Sequence, residues 1–208
     1  MRKAKKIRTG IYCGSFNPVH KGHIQIARAI LDQDLADEVW IVATGNYWDK
    51  QDLMPLDIRI ALLKHYEGDG IVIDQTYNGI EKTYAMFRQL KEDHPDRLFY
   101  LVLGADNVLS FERWVNYKEL LENPFIVIPR DETGKEDLIA IMEHWDKTDY
   151  AIVDLPLIPF SSTYIREHMD DYDAIAEMMD RDVYDDLLKR LKKKKRRRKK
   201  KESEEKAL

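Results

Sequence analysis

Six short apolar runs, separated by segments with helical spacing, constrain this chain more than any other feature. They are GIYC near residue 10, EVWIVAT near 38, IVI at 71, LFYLVLG at 98, FIVI at 125 and AIVDL at 151. Each is nearly continuous in apolar residues instead of alternating, as expected of parallel strands covered on both faces. Between the runs, Ile58, Ala61, Leu62 and His65 follow the i, i+3, i+4, i+7 pattern of a helix face. So do Thr83, Met86, Phe87 and Leu90, and again Leu138, Ile141, Met142 and Trp145. The alternation predicts an α/β fold with a Rossmann-like doubly wound parallel sheet. Tyr184, Leu187, Leu188 and Leu191 predict a last helix that packs back onto it. No internal repeat and no Gly/Ser linker interrupts the pattern.

A chain of 208 residues that is 44% hydrophobic and 35% charged fits one domain with a buried core, expected over residues 1–191. The apolar runs are strand-sized, well short of the roughly 18 residues that span a bilayer. The start, MRKAKKIRTG, lacks the apolar stretch of a secretory leader. With Cys13 as the single cysteine no intrachain disulfide can form, which fits a reducing compartment. A cytoplasmic location is therefore expected, with a nuclear one open if the source is eukaryotic.

The formal charge of −4 hides an asymmetry. Residues 189–208 hold 13 of the 34 Lys and Arg and 3 of the 38 Asp and Glu, which leaves 21 positive and 35 negative charges, a net of −14, on the rest. An acidic body does not bind nucleic acid through its folded face, so any affinity for nucleic acid or an anionic surface belongs to the run from Lys189 to Lys201. Like charges in a block repel and stay solvated, so residues 192–208 are expected to form a disordered polybasic tail. A nuclear address is another reading of the same run.

Open α/β sheets bind ligands outside the carboxyl ends of their strands, and the informative segments lie there. GSFNPVHKGH (14–23) follows the first run, TGNYWDK (44–50) the second, GADNVLSFERW (104–114) the fourth, Pro129-Arg130 the fifth and PFSSTYIR (159–166) the sixth. In the first segment Gly14 and Ser15 make a turn and Pro18 ends regular structure. A helix is expected from about Lys21, with Ile24, Ala27, Ile30 and Leu31 as its apolar stripe. His20 and His23 then stand three residues apart at its start, where free amides and the positive helix end favour an anion. Gly22 would let a ligand approach the backbone. Taken singly, such a histidine is more often a cap or a surface residue. No further Cys or His lies at ligand spacing, which argues against a protein-held metal.

The H-x-G-H segment together with SSTYIR resembles the paired signature of the nucleotidyltransferase superfamily of adenylyl- and cytidylyltransferases. The stretch LGADNVLSFERWVNYKELLENPFIVIPR is similar to nicotinate (nicotinamide) mononucleotide adenylyltransferases, particularly the bacterial nicotinate type. The likeness runs from about Ile11 to Leu191. It implies adenylyl transfer from ATP to a pyridine mononucleotide, giving the dinucleotide and pyrophosphate in NAD biosynthesis.

The same resemblance implies roles for particular residues. His20, His23 and Arg166 would be catalytic, with His23 meeting the α-phosphate. Ser161, Ser162 and Thr163 would hold the β- and γ-phosphates, although SSTYIR alone would read as an ordinary N-cap. Gly14, Ser15, Gly104, Asp106 and Ile165 complete the expected ATP site, with Asp106 at the ribose. Ser15, Phe16, Lys50, Thr83, Trp114 and Arg130 would border the mononucleotide, with Trp114 stacked on the pyridine ring. Mg²⁺ would arrive with ATP, since magnesium keeps several waters and few protein ligands; no protein metal site is expected.

Two departures concern the acceptor pocket. Tyr47-Trp48-Asp49-Lys50 stands where bacterial members read Pro-Pro-His-Lys, and IEKTYA (80–85) keeps Thr83 but has Ala85 where an aspartate is usual. Two alternatives remain at this point. One is a transferase for another phosphate acceptor; the other is a nucleotide-sensing module tethered by its basic end.

Overall fold

Every one of the six apolar runs becomes a strand: β1 (Ile7–Gly14), β2 (Glu38–Ala43), β3 (Ile71–Asp74), β4 (Arg97–Gly104), β5 (Phe125–Ile128) and β6 (Tyr150–Ile152). The computed structural model describes residues 5–45, 53–130, 133–156 and 158–205. All strand pairs are parallel, in the order β3-β2-β1-β4-β5-β6. The chain winds outward from β1 to β3, crosses back and winds outward again from β4 to β6. The winding reverses between β1 and β4, which is where an open α/β sheet leaves a crevice.

The helices are α1 (Lys21–Asp32), α2 (Leu56–Leu63), α3 (Thr83–Asp93), α4 (Ala105–Leu109), α5 (Tyr117–Leu120), α6 (Lys135–His144), α7 (Ser162–Glu167), α8 (Tyr172–Ile175) and α9 (Arg181–Glu205). The continuous apolar strands hide a period of two that the helices expose. In β2, Val39, Ile41 and Ala43 join one core with α1, α2, α7, α8 and α9, while Trp40 and Val42 join the other with α3 to α6. Burial on both faces is why no polar residue alternates along these strands.

Two helices depart from the expected pattern. Helix α2 buries Ile58, Arg59, Leu62 and Leu63, with Ala61 only partly covered. It ends at Leu63 because the chain tightens into a 3₁₀ turn, Lys64–Tyr66, that carries His65 out to α9. There its ring lies 3.3 Å from Asp182 and 3.1 Å from Asp186. Helix α9 buries Tyr184 and Leu187 of the expected stripe, with Val183 added and Leu188 and Leu191 only partly covered, and it shows no boundary at residue 191 but continues to Glu205. Lys and Arg are good helix formers and no Gly or Pro stops the run, so local propensity carries the helix past its last apolar residue. Among the described residues no helix is long and apolar enough to cross a membrane.

Candidate active site

The crevice is built first by backbone. At the end of β1, Thr44 donates from both N–H (2.9 Å) and Oγ1 (3.2 Å) to the Gly14 carbonyl. Phe16 follows with φ 44°, a left-handed conformation held because its ring is buried, edge-on to Tyr12 (5.4 Å) and His23 (4.9 Å). That ring passes so close to Gly14 that a Cβ there would meet it at 2.9 Å, which requires glycine. Arg59, fully buried, reaches up from α2 and donates to three carbonyls: Met54 (3.0 Å), Ser15 (2.7 Å) and Thr44 (2.8 Å). Asn17 Oδ1 accepts from the Met54 amide at 2.8 Å. The ends of β1 and β2 are thereby fixed to each other.

The two histidines sit where α1 begins at Lys21, as expected. Their rings stack at 3.7 Å, and the His20 backbone amide donates to His23 Nδ1 at 3.2 Å. Burial pushes the His20 imidazole down to about 4, with the nearby charge of Arg130 as a second cause. Burial also drives His23 well below its ordinary value, with His20 and Arg130 adding to it. Both rings are therefore neutral at pH 7. With Nδ1 of His23 accepting, its proton is on Nε2, so His23 presents a neutral N–H donor. His20 Nδ1 is buried without a partner among the described residues. Gly22 differs from expectation: a Cβ there would strike Ile158 Cγ2 at 2.7 Å and His20 Nδ1 at 3.0 Å, so protein atoms fill the space read as a ligand approach.

Helix α7 closes against this loop. Ser162 Oγ donates to the Pro18 carbonyl (2.9 Å) and Arg166 Nη1 to the Asn17 carbonyl (2.9 Å), while Phe160 lies edge-on to His20 at 6.3 Å. The motif near residue 20 and the motif near residue 163 thus meet, 140 residues apart in sequence. The three Ser and Thr hydroxyls of SSTYIR all have protein partners. Ser161 Oγ caps the amides of Thr163 and Tyr164, and Thr163 Oγ1 accepts from Arg166 Nη2 (3.1 Å). The ordinary N-cap reading therefore holds for Ser161. Ile165 is wholly buried in the α1-side core, because its position in α7 turns its side chain away from Arg166 and from the rim; its side chain is not open to a nucleotide.

Across the crevice, Gly104 ends β4, and a Cβ on it would fall 2.5 Å from Asp106 Oδ1. Asp106 Oδ2 stands 3.9 Å from Arg130 Nη1, both more than half exposed. Arg130 was expected beside the mononucleotide; its charge is felt by His20, His23 and Tyr12, which places it toward the imidazoles. Thr83 opens α3, half-buried. Trp114 is also half-buried and leans on Phe111 at 5.3 Å. Lys50 lies outside the described residues.

Arg59 and Ile158 are the site-building residues that sequence reading passed over. Arg59 had a signal: it falls at i, i+3, i+4 with Leu62 and Leu63 in a helix that is otherwise apolar after Asp57, so a cation stands on the buried stripe. Ile158 had none, because only the tertiary fold sets it on Gly22.

A stacked pair of imidazoles, His20 buried and His23 partly buried, with a guanidinium and strand-end glycines around the switch point of a parallel sheet, defines a nucleotide-handling α/β domain. A family model described as Cytidylyltransferase-like matches residues 11–168. The probable nicotinate-nucleotide adenylyltransferase of Bacteroides fragilis is 32% identical over 172 residues, covering 78% of this chain and 82% of that protein. A protein of the same name from Bacteroides thetaiotaomicron is 29% identical over 184 residues, 82% and 86% of the two chains. The chain belongs to the cytidylyltransferase-like family and, within it, to the nicotinate-nucleotide adenylyltransferases. Among solved structures, a Plasmodium falciparum nicotinic acid mononucleotide adenylyltransferase complexed with NaAD has the same fold, with a TM-score of 0.70 at 22% identity over 88% of this chain and 95% of that one.

Proposed function

We propose that this chain is the nucleotidyltransferase that joins ATP and nicotinate mononucleotide into the dinucleotide, releasing pyrophosphate, in NAD biosynthesis. The observation that carries the reading is the closure of α7 onto the β1–α1 loop by Ser162 and Arg166, which sets an arginine and two neutral imidazoles on one rim.

The chemistry asks little more. The mononucleotide phosphate is already ionised at neutral pH and serves as the nucleophile, so no side-chain nucleophile and no strong base is needed. Its oxygen forms a bond to the α-phosphorus of ATP, and the bond from that phosphorus to the β-bridging oxygen breaks. The enzyme must align two anions and stabilise charge growing on the leaving pyrophosphate. His23 Nε2–H would donate to the α-phosphate, its direction fixed by the His20 amide. Arg166 would supply fixed positive charge to the β- and γ-phosphates. Asp106 would take the ribose hydroxyls, and Thr83 and Trp114 would line the pyridine side, with Trp114 offering the exposed part of its ring.

Among the described residues no group of three or more His, Cys, Asp or Glu is placed to hold a metal ion. Mg²⁺ carried in by ATP would neutralise phosphate charge, with the protein touching the nucleotide.

Pyrophosphate release from ATP and Mg²⁺, with nicotinate and nicotinamide mononucleotides offered in parallel, tests the reading. Release that depends on nicotinate mononucleotide supports it. Release only with another phosphate acceptor, or none with either mononucleotide, rejects it.

A further inference from the structure

Helix α9 leaves the body carrying six consecutive cations that the transferase reading does not use. Lys192, Lys193, Lys194, Lys195, Arg196 and Arg197 are all exposed. Among the described residues none of them has a carboxylate partner; the nearest ion pair before them joins Arg190 Nε to Asp186 at 2.8 Å. Where α9 passes the start of α2, Asp57 is the one carboxylate lining a groove with Arg190, Lys193, Lys194 and Arg197, so the body does not neutralise the run. The backbone stays helical to Glu205.

Two features select a partner. First, successive residues turn by about 100°, so six in a row cover every side of the helix. No apolar residue follows Leu191 until Ala207. A helix that lies in a membrane surface needs an apolar face to bury, and this one has none. Second, the charge density matches a duplex. The 13 residues Lys189 to Lys201 contain 12 cations and span about 20 Å at about 1.5 Å each. A nucleic-acid duplex carries about 12 phosphates over the same length, whereas one strand carries about half as many. The net −14 of the remaining chain repels such a polyanion and leaves the helix as the contact.

We propose that α9 beyond Leu191 is a docking element for double-helical nucleic acid, reading phosphate density and not base sequence. The enzyme would be held on the duplex by one projecting helix while its crevice stays open.

The test is fluorescence anisotropy of the full chain with labelled 20-base-pair DNA and RNA duplexes from 50 to 200 mM KCl. A single-stranded oligonucleotide and phosphatidylserine vesicles are the comparison arms. If about six phosphates are neutralised, affinity for duplex falls about a thousandfold across that range. A variant with Lys192→Gln, Lys193→Gln, Lys194→Gln, Lys195→Gln, Arg196→Gln and Arg197→Gln keeps helix propensity and should bind at least tenfold more weakly with a shallower salt dependence. Its pyrophosphate release, which checks that it folds, should be unchanged. Duplex affinity that is salt-independent in the native chain, equal affinity in the variant, or tighter binding to vesicles or to the single strand overturns the proposal. Because that release is measured separately, failure of docking and failure of the transferase reading give different results.

Discussion

The His20 backbone amide donates to Nδ1 of His23 at 3.2 Å, which settles which nitrogen of His23 carries its proton. The ring is partly buried and neutral, so its contribution is a directed hydrogen bond. His23→Ala should lower turnover by about 10²–10³ while leaving the fold intact, the size seen on removing one transition-state donor. Steady-state pyrophosphate release with circular dichroism as the fold check measures this, and turnover within fivefold of the native chain would rule the role out.

The same burial makes stability depend on pH. An unfolded histidine titrates near 6.5, whereas His20 in the fold titrates at about 4 and His23 also lies far below its ordinary value. Between these values the unfolded chain binds protons that the folded chain does not, so acid favours unfolding. Stability from this source is fully present above about pH 6.5 and drains as pH falls toward 4. His20 alone accounts for up to about 3 kcal/mol. Urea midpoints from pH 7 to 4.5 should fall more steeply for the native chain than for the double variant His20→Gln, His23→Gln.

Arg59 offers a test of how the crevice is held. Its planar fork spans the carbonyls of Met54, Ser15 and Thr44, a geometry that a single ammonium cannot copy. Arg59→Lys should leave at least one buried carbonyl unpaired and cost about 2 kcal/mol. The urea midpoint measures it, and kcat/KM should fall with it, because Ser15 follows the last residue of β1.

Gly22 is filled by protein on its open side. Gly22→Ala should press on Ile158 Cγ2 and on the His20 ring, since the new Cβ would lie 2.7 and 3.0 Å away. A loss of about 1–3 kcal/mol is expected from such overpacking. Turnover should drop beyond what the lost stability explains, because the His20 ring that stacks on His23 must move. Retention of full activity at a reduced melting temperature would confine Gly22 to packing.

Trp114 separates the two substrates. With part of its ring exposed above Phe111, Trp114→Ala should raise the KM for nicotinate mononucleotide at least tenfold and leave the KM for ATP within about twofold. Initial rates with each substrate varied in turn decide it. An effect confined to ATP would remove Trp114 from the pyridine side.

Much of this was legible in the residues, and the reasons are local. The strands and their parallel pairing follow from apolar runs too continuous to face water on either side, and the irregular stretch between β1 and α1 contains Pro18, which cannot continue regular structure. The signature segments are visible because anion binding at strand ends needs short polar turns that stand out between apolar runs. Chain-local chemistry also set the acidic body and the basic run.

What only three dimensions decided concerns environment and partner. Both histidines are neutral because burial strips water from them, and burial is a property of the assembled fold. Ile165 and Arg166 are neighbours in sequence, yet one enters the core and the other reaches Asn17, because packing chooses which side of a short helix faces inward. Arg59 became a keystone only when β1, β2 and the segment before α2 brought three carbonyls within reach of one guanidinium. Ordinary propensity carried α9 through a run that charge repulsion alone would have left without fixed structure, and the anchor at Val183, Tyr184 and Leu187 gave it a base from which to project.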